Sequence, residues 1–288
     1  MNVIEYVKDL KIAAPCYVSN MPAELYHAHD SVSNSGLKLV NRSPAHFKYQ
    51  KERESTRSMV VGSALHMACL EPDLFYQTYT LLRKADDRRS TEYKEAVKLH
   101  REELVLVASE CERVEGIMKS LHSNANIKHY LDIDGWCELS GFVEDPETGI
   151  VCRHRFDKLT RSGIGIDLKT TTDARNDAFS RSIMSFGYHV QDAFYNAQYN
   201  WINGVHLADF IFIAIESESP YASKIYRIDS DSIDAGEFVY REALNKYAYC
   251  KQMNEWPAYD DEIEGIGIPY WAFKQHENSI IESFTFTD

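Results

Sequence analysis

The feature that most restricts the fold is a change of period. Up to about residue 122, apolar residues recur at helical spacing. Then "GWCELSGFVE" (135–144), "IVCRHRFDKL" (150–159) and "IGIDLKTT" (164–171) alternate in steps of two. The turn "DPETG" (145–149) joins the first pair and "RSG" (161–163) the second, so the three segments predict an antiparallel meander. After it come a helix over "YHVQDAFYNAQYNWING" (188–204), an apolar strand over "ADFIFIAIES" (208–217), a strand over "ASKIYRID" (222–229) and a long helix over 232–256. Gly204 suits the helix end as a C-cap, and the apolar strand reads as central and buried on both faces.

The part before the meander reads as helical. The first sixty residues look helical and irregular, with Ser43 as an N-cap and Pro44 in the first turn after it. Residues 60–71, "VVGSALHMACLE", predict a short apolar helix whose strongly polar interior group is His66. Residues 91–122 predict a long amphipathic helix, interrupted near Val107–Ser109. The expected architecture is α/β: a central mixed sheet flanked by helices, with a helical N-terminal segment. One domain over 1–288 is expected. Its parts are a mainly helical 1–125, an α/β core over 126–256 and an irregular tail over 257–288 whose aromatic residues pack back on the body.

Composition narrows the function. No apolar run is long enough to span a bilayer, and the N-terminus does not read as a signal peptide. The expected place is the cytoplasm, with no membrane partner. The six cysteines, at 16, 69, 111, 137, 152 and 250, lack the spacing of a zinc or iron–sulfur site. No iron–sulfur cluster is expected. The net charge of −13 opposes general coating of nucleic acid, since counterion release favours basic proteins. Action on nucleic acid then needs a locally basic channel beneath an acidic exterior.

The meander carries the chemistry. With "RSG" as a three-residue loop and Gly163 at its left-handed position, Thr160 faces Ile164 and Asp157 falls opposite Asp167. Opposed side chains have Cβ atoms roughly 5 Å apart. Two carboxylates at that distance repel unless one is protonated or a cation lies between them, and a hard divalent ion such as Mg²⁺ takes such oxygen ligands. Lys169, two residues on, points to the same face and stays charged there. Glu138 on the first strand reaches the same region, its register uncertain by a residue or two. Taken alone, the spacing fits a solvated ion cluster as well as a cation site. His66, alone in an apolar helix, fits a core histidine as well as a ligand. Gln191 and Tyr195 share a helical face, either as a boundary beside the packing stripe of Val190, Phe194, Ala197 and Trp201 or as groups that contact a phosphate or brace Lys169. Thr170 could donate to a phosphate, and Arg155, on the face of Asp157, could touch nucleic acid or pair with acids across the strands.

These residues resemble the PD-(D/E)xK nuclease superfamily, and most closely its RecE-type (exonuclease VIII-like) branch of phages and prophages. The matching stretches are "YHAHDSVSNSGLKLVNRSPAHFKYQ", "GSALHMACLEP", "CRHRFDKL", "IDLKTT" and "QDAFYNAQ", in the family's order. The resemblance implies a restriction-endonuclease-like core. It implies His66, Asp157 and Asp167 as metal ligands, Asp157, Asp167 and Lys169 as the catalytic group, and Gln191 and Tyr195 at the substrate; strand position adds Glu138 to the catalytic group and Thr170 and Arg155 to the substrate side. It also implies Mg²⁺-dependent exonuclease action, 5′→3′ on linear double-stranded DNA ends, with Mn²⁺ able to substitute. The implied partners are a single-strand annealing protein of the RecT type and further copies of the chain in a ring, a trimer or tetramer. A catalytically silent DNA- or partner-binding relative is the alternative. The sequence departs from the superfamily in carrying Asp167 where Glu is frequent before xK.

Overall fold

The computed structural model describes residues 2–51, 56–267 and 273. Residues Met1–Trp256 form one compact unit. Its elements, in chain order, begin with β1 (Val3–Glu5), β2 (Cys16–Ser19), α1 (Ala23–Ala28), α2 (Asn34–Arg42), α3 (Pro44–Lys48), α4 (Arg57–Leu70) and α5 (Pro72–Thr78). Next are β3 (Thr80–Leu82), α6 (Thr91–Leu99), β4 (Val105–Val107), α7 (Ala108–Ser123) and α8 (Ala125–Asp132). The core follows: β5 (Gly135–Glu144), β6 (Val151–Thr160), β7 (Ile164–Thr171), α9 (Asn176–Phe186), α10 (Tyr188–Asn203), β8 (Asp209–Glu216), β9 (Ser223–Tyr226) and α11 (Ser230–Met253).

Seven strands make one sheet in the order β1-β2-β5-β6-β7-β8-β9. It is mixed: β1 with β2 and β7 with β8 are parallel, and the other neighbours are antiparallel. The parallel step from β7 to β8 needs a crossover, and α9 and α10 supply it. Each sheet face has its own core. On one, Leu37, Val40, Phe194, Tyr240 and Leu244 of α2, α10 and α11 cover Phe156, Phe210 and Phe212. On the other, Leu65, Ile117, Leu121 and Ile127 of α4, α7 and α8 cover Ile166, Leu168, Ile211 and Ile213. Strand β8 alternates between these two cores, which is why its sequence is apolar without a period. Burial of apolar area on both faces is the main stabilising contribution to this layer.

Several local expectations hold. Ser43 accepts a hydrogen bond from His46 N at 3.3 Å and caps α3, with Pro44 in the first turn. Gly204 ends α10 with φ +71°. Gly163 has φ +84°, and its N–H meets Thr160 O at 3.0 Å. Lys158 pairs with Ile166 and Leu159 with Gly165, the register that Thr160 facing Ile164 requires.

Other elements differ from the sequence reading. The irregular start contains β1 and β2, and β2 extends the sheet by pairing with β5. Strands of three and four residues are too short to display a period. The expected long helix over 91–122 is two helices separated by a 3-10 turn and β4, and β4 pairs in parallel with β3. Val105, Leu106 and Val107 are all buried there, so an apolar triplet that fits a helix stripe is used as a strand. Helix α9 forms where the sequence signals no helix start, since it has no side-chain N-cap. The second unit begins at Pro257; its residues 257–267 form no helix or strand. The aromatic packing expected of the tail falls mainly outside the described residues.

Candidate active site

The site forms where the meander loosens. Pairing of β6 with β7 stops at Lys158 and Ile166, one step before Asp157 and Asp167. Beyond that step the Leu168 N–H turns to the Asp157 side chain, donating to Oδ2 at 2.8 Å. A carboxylate thus takes the place of a backbone carbonyl in the ladder, and the strands part around it.

Strand β5 contributes Glu138. Cys137 pairs with Lys158 and Leu139 with Phe156, so Glu138 stands across from Asp157. Its own pairing is broken, because its φ is +47°. A non-glycine residue in the left-handed region in mid-strand carries strain, on the order of 1–3 kcal/mol. Arg155 buttresses the same strand pair. It donates to Ser140 Oγ and to Met21 O, both at 2.9 Å. Its guanidinium lies 4.3 Å from the Tyr26 ring centroid and 4.0 Å from Glu138 Oε2.

Helix α4 supplies His66. Thr56 caps the helix, accepting from Met59 N at 3.3 Å, and Leu65 and Cys69 anchor it on the sheet. His66 Nδ1 then lies 3.3 Å from Asp157 Oδ2. One ligand atom each from His66, Glu138 and Asp157 lie within 4.8 Å of one another.

Asp167 belongs to an adjoining cluster. Gln191 Nε2 donates to Asp167 Oδ2 at 2.7 Å, and Gln191 Oε1 accepts from Lys169 Nζ at 3.1 Å. The Lys169 ammonium lies against Asp167 Oδ1, which is buried and receives no well-directed hydrogen bond. Gln191 therefore holds acid and ammonium in fixed relation. Tyr195, one turn on, is buried among the rings of His154, Phe156 and Phe210, where it forms the wall behind the site. Thr170 points to the other side of β7. It lines a groove of about 430 Å³ with Arg57, Ser58, Arg113 and Ser217. Glu110 lines that groove, but Asp157, Asp167 and Glu138 do not.

Charge is unevenly shared. Burial disfavours charge on His66, but Asp157, Asp167 and Glu138 overcome it and hold its proton affinity up at about 9. Burial and the Asp157 charge push the Glu138 carboxyl up to about 7. Burial also works against ionised Asp157, yet His66, Lys169 and the Leu168 N–H hold it below the ordinary range. Asp167 is raised, first by burial and then by Asp157. Lys169 stays protonated because the two aspartates outweigh its burial. One imidazole nitrogen and two carboxylate oxygens, from His66, Glu138 and Asp157, converge within 4.8 Å, a donor set that fits a divalent cation in place of the His66 proton. The imidazole extends the choice towards Mn²⁺.

Two residues at the site escaped the sequence reading. Lys169 Nζ lies 4.7 Å from the centroid of the Tyr188 ring. The helical spacing of Tyr188 to Gln191 could have pointed to it. Lys38 of α2 reaches the same corner and donates to Phe186 O; nothing in its local sequence signals that.

A mixed sheet whose loosened meander carries Asp157, Asp167-x-Lys169 and a helix-borne His66 defines a PD-(D/E)xK-type centre. Residues 33–267 match the family model described as a PDDEXK-like domain of unknown function (DUF3799), and the chain belongs to that family. Among solved structures it is similar to a protein described as "Putative exonuclease" from Eubacterium rectale. The TM-score is 0.59 at 14% identity, over 88% of this chain and 98% of that one, and the likeness is one of fold. A second structure, described as SSO0001, covers 75% of this chain and 93% of its own at 14% identity. Its TM-score of 0.27 is too low to carry an argument. No curated protein matches.

Proposed function

We propose that the protein is a metal-dependent deoxyribonuclease that hydrolyses phosphodiester bonds from the ends of linear duplex DNA. The observation that carries this reading is the convergence of His66, Glu138 and Asp157 beside the braced Asp167–Lys169 pair. His66, Glu138 and Asp157 would hold a divalent cation, Mg²⁺ by preference, with Asp167 on its border. A bound divalent cation supplies positive charge at the phosphate and lowers the pKa of water.

The chain's own groups do the rest. Lys169 keeps its proton and donates to the attacking oxygen and to the charge that develops on the phosphate. Gln191 fixes the Lys169 ammonium, so little reorganisation is needed during reaction. Glu138, with its side chain 41% exposed, is placed to accept a proton from the attacking water through the carboxylate oxygen turned away from the cation. Arg155 is spent on Ser140, Met21 and Tyr26 and acts by holding Glu138 in place.

The resemblance to RecE-type enzymes supports 5′→3′ polarity, leaving a 3′ strand for an annealing protein of the RecT type. It also supports a ring of several copies, which would concentrate basic groups in a channel and leave the acidic charge outside. The test is digestion of a linear duplex labelled separately at each 5′ and 3′ end, with a closed circle as control, with and without Mg²⁺. Loss of the 5′ label first, on linear DNA and with Mg²⁺, is expected. Cutting of the circle would replace the exonuclease reading with an endonuclease one. No cleavage under any divalent cation would remove the enzyme reading.

A further inference from the structure

The corner between α9 and α10 has a feature the hydrolytic chemistry leaves unused. Phe186 is 58% exposed, yet its ring meets Tyr188, whose ring also meets the Lys169 ammonium. The Phe186 ring continues a stack. Its centroid is 5.7 Å from that of Tyr188 at an interplanar angle of 23°. Tyr188 in turn lies 5.8 Å from Phe212 at 23°. The stack thus runs from the buried core, past Lys169 at the Tyr188 ring, to an open aromatic face. Gly187, with φ +64°, makes the sharp corner that turns this face outward, and Lys38 clamps the corner through Phe186 O. A Cβ at Gly187 would stand 3.2 Å from Lys38 Cε, so the clamp is fitted closely to the bare backbone.

We propose that Phe186, backed by Tyr188, is a stacking platform for the nucleobase next to the phosphate that reacts, with Lys38 facing that strand's backbone. This rests on the nuclease reading and adds to it a group that positions the DNA end. The occupant follows from the chemistry. A base has a flat face that extends a ring stack, and stacking on an exposed aromatic tolerates any base. Two ammonium groups, Lys38 and Lys169, border the platform in a chain of net charge −13, which suits a ligand that joins a flat ring to an anion. A protein partner needs an interface far larger than two side chains. Phe186 touches no reacting atom and is a positioning residue.

The experiment uses the full-length chain without divalent cation and a short duplex carrying 2-aminopurine at its terminal positions, whose fluorescence falls on stacking. Quenching is expected with the wild-type protein, loss of quenching and roughly tenfold or weaker binding with Phe186→Ala, and recovery with Phe186→Tyr. Because Phe186 is exposed, the alanine variant should keep its melting temperature, which circular dichroism checks. If Phe186→Ala quenches and binds like wild type while the wild type cleaves DNA, the platform is wrong and the nuclease reading stands. If no DNA binds to any form, the platform is wrong, and cleavage of the same duplex with Mg²⁺ then decides the nuclease reading separately. If Phe186→Ala changes only the sedimentation of the protein, the face joins copies of the chain and the platform is again wrong.

Discussion

At the residue scale, the centre depends on a few side chains held where charge is costly. Lys169→Ala should reduce cleavage by about 100- to 1,000-fold, with DNA binding retained, in single-turnover digestion. A variant that cuts at the normal rate would remove Lys169 from the mechanism. The shifted groups also fix the pH dependence. His66 is raised from 6.5 to about 9, so its contribution to stability is full below 6.5 and is lost as pH rises to about 9. Glu138 is raised from 4.5 to about 7; the folded state holds its proton more tightly, so stability falls as pH rises through that window. Both groups therefore weaken the cation-free protein as pH rises. A divalent cation competes with those same protons. Mg²⁺ or Mn²⁺ should raise the melting temperature more at pH near 9 than near 6, and calorimetry in two buffers should register proton release. A cation-induced shift that is flat across that range would exclude these residues as the ligands.

At the element scale, the strained turn of β5 is the telling detail. Glu138 at φ +47° costs the fold stability in a strand that would otherwise pair without a break. Glu138→Asn tolerates the left-handed backbone better and removes a half-exposed carboxylate that Asp157 repels. It should raise the unfolding free energy by an amount on the order of 1 kcal/mol, read by denaturant titration, while abolishing cation binding in titration calorimetry. A fall in stability would mean that the strain is not carried by this side chain. The opposite case is Gly163, whose φ of +84° and Thr160 hydrogen bond set the register that brings Asp157 and Asp167 to one level. An added Cβ there would lie 3.0 Å from Tyr199 Oη. Gly163→Val should lower the melting temperature and weaken cleavage together, because a disturbed turn disturbs the register.

At the scale of the whole molecule, the acidic balance meets a polyanionic substrate. With few cations near the centre, DNA binding should fall with salt by a shallow slope, on the order of one to three phosphate contacts per chain, measured by fluorescence anisotropy. A steep slope would require a basic surface assembled from several copies, and sedimentation at the same concentrations would register that assembly.

The meander, the glycine at its second turn, the buried central strand and the acid–acid–lysine placement were all legible, because each depends on local period and turn chemistry. That Gln191 braces Lys169 is among the readings its helical face allows, and the hydrogen bond is there. Its second hold on Asp167, and the meeting of His66 with Asp157 from a helix more than sixty residues earlier in the chain, were not legible. Glu138 was placed in the region, yet its position across from Asp157 depends on a broken ladder and a backbone angle that no spacing reports. Lys38 and Phe186 lie 148 residues apart and meet through one backbone carbonyl. Sequence alone set which segments are strands and which of their faces carry charge, since a period of two is written into neighbouring residues. Tertiary structure decided which charges share a site, since that turns on how helices from distant segments pack against the sheet.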